Sequence, residues 1–320
     1  MLVAALAALL MSSAPAADGQ TPIPPVQTAI PSADAPTDLD DIIVEGRPLD
    51  EQVQTFVREV GAPANDRNLA KWRNGVCVSV VNLRNDAAQA LVNRVSDVAR
   101  EVGLNAGEPG CTPNVMIFAA ADAQAFTPEL VAHRPRLFRV GGSGMDRGRG
   151  ALEAFQTTDR PVRWWTVSVP VDEEGQVAVR IPGSCKDPCD TPMTYAPQVR
   201  TTASRLLSST SDDIRRVFIV MDADQISSVN LAQLGDYVAM VALAQINPEA
   251  DTSGYATVLN LFNDPERTEG LTNWDKAYLQ GLYGVVLTRQ NRNTARNEVA
   301  SAIVRVHHRI TAMEDAGADE

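Results

Sequence analysis

The sequence predicts a single mixed α+β domain, a twisted mixed sheet packed by helices, behind a leader and a flexible spacer. Two observations carry this. GVCVSVVNL, NVMIFA and DIRRVFIVM are strand-length apolar runs with little polar alternation, the pattern of strands buried on both faces. Between and after them lie stretches whose apolar residues recur at helical spacing. The residues past the spacer, about 270, fit one large domain or two small ones, and a single domain over 48–313 is expected.

Residues 1–17 open with MLVAALAALLM and continue as SSAPAAD. This reads as the apolar core of a signal peptide with a cleavage site near Ala14–Ala17. The run is shorter than the roughly 20 residues a membrane span requires. No later stretch is longer, so no transmembrane segment is expected after cleavage. Residues 18–47 are rich in Pro, Ala, Thr and Ser. They cannot bury enough apolar surface to offset their ordering entropy, and read as a spacer. The spacer ends in DIIVEGR, Asp41–Arg47, a strand-like piece suited to a sheet edge. Its seven residues also resemble a short motif near the mature N-termini of outer-membrane TonB-dependent receptors, which would imply an outer-membrane accessory role.

Leu49–Val60 places Val53, Phe56, Val57 and Val60 on one helical face. Gly75–Leu83 reads as a strand, Asp86–Val102 as a helix with Leu91, Val95 and Val98 inward, and Asn114–Ala119 as a second strand. Strand, helix, strand with these connections is a crossover joining parallel strands. Ala123–His133 is helical and ends near Arg134-Pro135-Arg136. Gly141–Gly150, GGSGMDRGRG, reads as a loop. Its third glycine falls one position late for a dinucleotide fingerprint, and Met145 stands where a nucleophile elbow needs glycine. Val162–Pro170 and Gln176–Ile181 read as a hairpin through the turn Asp172–Gly175. On a strand, Trp164 and Trp165 face opposite ways. Asp213–Met221 is a further strand, followed by helices at Asn230–Ile246, Gly270–Gly284 and about Thr294–Met313. An acidic tail, 314–320, closes the chain.

The four cysteines are Cys77, Cys111, Cys185 and Cys189. An even count behind an export signal points to disulfides. A Cys77–Cys111 bridge would contribute roughly 3–4 kcal/mol in the loop-entropy account, and Cys185–Cys189 would close a short loop. A four-thiolate zinc site would require two tight pairs, and Cys77 and Cys111 are far apart in sequence. With 40 Asp+Glu against 28 Lys+Arg and no basic tract, nucleic acid is not an expected partner.

The segment NLAQLGDYVAMVALAQI, Asn230–Ile246, is polar in its first half and apolar all round from Val238 to Ala244, as in a helix buried on most sides. With LNLFND at Leu259–Asp264 and GLTNWDKAYLQGLYG at Gly270–Gly284, it resembles a family of secreted alphaproteobacterial proteins carrying a degenerate zinc-metallopeptidase-like (zincin-like) domain. In better-endowed relatives a ligand-bearing helix, an S-x-x-N-D-like loop and an L-T-x-x-D helix follow one another. The resemblance covers about a fifth of the chain and implies the fold. A working zinc helix needs His at positions four apart with Glu between. Here those positions read Gln233/Tyr237 and Asp236/Met240, and no His lies between Ala151 and Ile303. Metal ligands and cofactors are therefore not expected, and zinc hydrolysis loses both the ion and its activated water.

Asp222, Asp224 and Asp236 are the candidate catalytic carboxylates. Asp222 and Asp224 follow a strand, and Asp236 sits at the junction of the polar and apolar halves of its helix. Desolvation there would make Asp236 either a general base or the partner of an arginine, with Arg134, Arg136 and Arg163 as candidates. Trp164, Tyr237 and Arg136 are the candidate binding residues. The expected function is that of an exported, non-catalytic protein of the periplasm or the medium, binding or scaffolding an envelope partner. A metal-independent hydrolase using the three aspartates is the alternative.

Overall fold

In the computed structural model the described residues are 47–64, 67–138, 146–178 and 206–318. The leader, most of the spacer, DIIVEGR up to Gly46, Gly141–Met145 and the Cys185–Cys189 loop lie outside them.

Helix α1, Leu49–Val60, buries the four apolar residues expected. The first strand run is split by Cys77 into β1, Gly75–Val76, and β2, Val78–Val81. Helix α2, Asn85–Glu101, buries Leu91, Val95, Val98 and Ala99, and leads through β3, Asn105–Ala106, to β4, Val115–Ala120. Helix α3, Ala123–His133, starts at an Asp122 cap. The single turn α4, Pro135–Phe138, and helix α5, Arg149–Thr157, follow before the long strand β5, Val162–Val171. Strand β6, Ser211–Asp222, precedes α6, Leu231–Leu243, α7, Asn273–Tyr283, and α8, Arg292–Ala318.

The main sheet runs β2-β4-β6-β5. β2, β4 and β6 are parallel, and α2 makes the crossover between the first two. β5 pairs with β6, antiparallel over its whole length, with a register irregularity between Val167 and Ser168. The expected hairpin to Gln176–Ile181 starts on the other edge of β5, where Val171 bridges Val177 across the turn at Asp172–Gly175 and the Ala178 N–H donates to the Pro170 carbonyl. Residues 179–181 of that expected strand lie outside the described residues. β1 and β3 form a second, two-stranded parallel pair, and the Cys77–Cys111 disulfide joins the β1–β2 junction to the segment ahead of β4.

Strand alternation divides the sheet's side chains between two cores. Val115, Ile117, Val217, Ile219, Met221 and Trp164 enter the larger core, with residues of α1, α2, α6, α7 and α8. Phe218, Val220, Trp165 and Val167 enter the smaller one, where Phe138 and Phe155 cover them. The two adjacent tryptophans thus do face opposite ways, and both are buried.

Candidate functional site

Helix α6 lies in the larger core, and every residue from Leu234 to Leu243 is buried. It begins with a capping box in which Asn230 accepts from the Gln233 N–H and the Gln233 side chain accepts from the Asn230 N–H. Gln233 Nε2 also donates to the carbonyls of Pro265 and Thr268. Its polar start is therefore tied to the loop that precedes α7.

Asp236 is 9% exposed. One of its oxygens accepts from Arg94 Nε of α2, and the other accepts from the Leu271 backbone N–H at 2.9 Å. Its arginine partner is thus Arg94 rather than Arg134, Arg136 or Arg163. Arg134 and Arg136 are exposed around α4. Arg163 instead donates to the Gln156 carbonyl and to Gln124 Oε1. Gly235 lets Arg94 lie close along α6, since an added Cβ would stand 3.1 Å from Arg94 Cγ. One turn on, Met240 is 0% exposed. The two positions where a zinc helix would carry imidazoles thus hold an ion-paired carboxylate and a packed thioether.

The three segments that carry the family resemblance meet. Tyr237 of α6 stacks edge-on against Phe262 of the LNLFND loop, ring centres 5.1 Å apart. Asp275 of α7 is wholly buried and accepts from the Thr257 hydroxyl, the Val258 N–H and the Thr272 N–H and hydroxyl. Burial pushes its carboxyl above the ordinary range, against hydrogen bonds that favour the ionised form.

Between β5 and α6 a groove of about 180 Å³ is lined by Arg160, Val162, Trp164, Tyr237, Leu259 and Phe262, among others. Trp164 and Tyr237, two of the candidate binding residues, meet there edge to face at 6.1 Å. Trp164 Nε1 donates to the Ile246 carbonyl, which fixes the indole. Burial raises the Tyr237 hydroxyl above the ordinary tyrosine range, so it stays protonated. The third candidate, Arg136, is not in the groove.

The other two carboxylates have separate surroundings. Asp222 is buried at the end of β6, where it accepts from the Ala123 N–H at the start of α3 and from the Gln225 N–H. Asp224 is exposed, and its backbone carbonyl accepts from Ser227. None of the hydrogen-bond partners of Asp222 is shared with Asp236. Among the described residues, no three His, Cys, Asp or Glu side chains are placed to hold a metal ion, and no helix is long and apolar enough to cross a membrane.

A larger cavity, about 490 Å³, opens beside Lys71, Asp213 and Tyr283 at the start of β6. Three of its polar groups are occupied. Lys71 Nζ donates to the carbonyls of Tyr283 and Val285 at the end of α7, where helix carbonyls lack partners. Asp213 binds Arg73, and the Tyr283 hydroxyl donates to the Leu243 carbonyl. Comparison with protein-family models, with curated proteins and with solved structures finds no match.

Proposed function

We propose that this chain is an exported, non-catalytic cell-envelope protein in which a metallopeptidase-like scaffold serves binding or scaffolding. The observation that carries the reading is the state of α6. Asp236 spends its oxygens on Arg94 and on the Leu271 N–H, and Met240 is sealed in the core. Restoring a metal there would leave the Leu271 N–H and the half-buried Arg94 without their acceptor, and would require new ligands. The Trp164–Tyr237 groove is the feature of this scaffold suited to taking an apolar segment of a partner. The apolar leader and the Cys77–Cys111 bridge favour an oxidising destination outside the cytoplasm.

Metal analysis of purified protein, paired with a peptide-cleavage assay, tests this directly. Substoichiometric zinc and no cleavage are expected. One zinc per chain accompanied by cleavage would overturn the proposal.

A further inference from the structure

The chain carries a formal charge of −12, yet one pocket of about 350 Å³ is lined by Arg67, Arg147, Arg292 and Arg296, with Asn247 and a stretch of backbone from Gly61 to Ala64. Among the described residues, no Asp or Glu lines it. The four arginines come from three parts of the chain, so the fold brings them to one pocket.

Their existing partners leave charge over. Arg67 gives Nε and Nη2 to Asp212, while its other terminal nitrogen, Nη1, is buried without a partner. A buried donor left unmade costs about 1–3 kcal/mol, so an acceptor arriving there is favoured. Arg147 gives Nη2 to the neutral Asn247 amide oxygen at 2.9 Å. Burial draws Arg147 below the ordinary arginine range, with Glu249 as the opposing charge, and Glu249 is itself held by Arg160. Arg296 is half-buried, and its guanidinium has no hydrogen bond or ion pair among the described residues. Two helix starts border the pocket. Arg292 and Arg296 sit in the first two turns of α8, and Ala151 in the first turn of α5, which has no side-chain cap. Both add positive potential at the N-terminal end.

We infer that this arginine pocket is a binding site for a multiply charged oxyanion, namely a phosphoryl group. Planar guanidinium forks suit phosphate oxygens, which accept several charge-assisted hydrogen bonds at once. Arg67 Nη1, the Arg296 guanidinium and Arg147, whose hydrogen-bond partner is a neutral amide, leave several donors that one phosphoryl group can engage together. The inference is independent of the metallopeptidase-like reading, because none of its groups belongs to α6 or to the groove's aromatic wall.

Titration calorimetry on the full chain, with sodium chloride matching ionic strength, provides the test. Inorganic phosphate, glycerol 1-phosphate and acetate are the probes. Phosphate or its ester is expected to bind, and Arg147→Gln and Arg296→Gln are each expected to weaken that binding by about 10-fold or more. Arg296→Gln guards against misfolding as a cause, since it removes no ion pair; its melting temperature should match the parent. Tighter binding of the ester assigns an organic phosphate, and tighter binding of phosphate assigns the free ion. Absence of heat for both, equal binding by parent and variants, or acetate binding as tightly as phosphate would overturn the assignment.

Discussion

The α6–β5 groove and the arginine pocket share a wall residue, Asn247, but treat charge in opposite ways. On α6 the charged group is matched: Asp236 meets Arg94 and the Leu271 N–H. In the arginine pocket, Arg67 Nη1 and the Arg296 guanidinium have no acceptor among the described residues. On the helix a single carboxylate is tied to partners from α2 and the segment before α7, while arginines scattered along the sequence are gathered into one pocket by the fold.

This contrast can be broken by substitution, starting where the effect should be largest. Met240→Ala should cost about 2–5 kcal/mol, because a fully buried side chain leaves a cavity. Urea unfolding measures it, and a loss under about 1 kcal/mol would mean the helix is less tightly held than its burial implies. Asp236→Ala should cost about 1–3 kcal/mol through the stranded Leu271 N–H and the lost arginine partner. The expected cost is below the range for a wholly buried pair because Arg94 is 35% exposed and water can reach it. If stability is unchanged while partner binding is lost, Asp236 is a binding residue rather than a tie between helices.

Asp275 sharpens the comparison through pH. Its folded pKa is raised above the ordinary 3.8 by burial. A group shifted this way contributes stability fully present below its unfolded pKa and lost as pH rises through the folded value. Asp275→Asn should make the fall in stability above about pH 3.8 shallower. Asp212 shifts in the same direction, so part of the slope should survive. An unchanged slope in the variant would show that Asp275 does not titrate across that window. Smallest of all, Arg296→Gln should move stability by no more than about 0.5 kcal/mol, or slightly raise it by relieving repulsion among the arginines. A loss above about 1 kcal/mol would place Arg296 in the scaffold and weaken the contrast with α6.

Much of the mixed architecture was legible because it is locally encoded. The apolar alternation in VRWWTVSV separates the tryptophans onto two faces, and the unbroken apolar run from Val238 to Ala244 marks α6 as buried. Capping residues mark the starts of α6 and α7. What was not legible depends on distance along the chain. Asp236 and Arg94 are 142 positions apart, and no local pattern links them. The DEEG turn is a strong short-range signal and its hairpin begins as expected, whereas the pairing of β5 with β6 was not legible because β6 lies beyond residues 179–205. Helix α5 was missed where glycine and arginine conceal its N-terminus, since Gly148 caps it at a φ of 89°. The arginine pocket had no signature at all, because its members are spread from position 67 to position 296.

The placement of β5 has a consequence for how the molecule behaves in company. It is ten residues long and, among the described residues, ends the strand order of the main sheet, and terminal strands present backbone groups on which another chain could assemble. The end of that outer edge is already taken: Val171 bridges Val177, and the Ala178 N–H donates to the Pro170 carbonyl. Pro170 has no N–H to contribute. At its Pro170–Val171 end, VRWWTVSVPV therefore leaves an incoming strand few backbone partners.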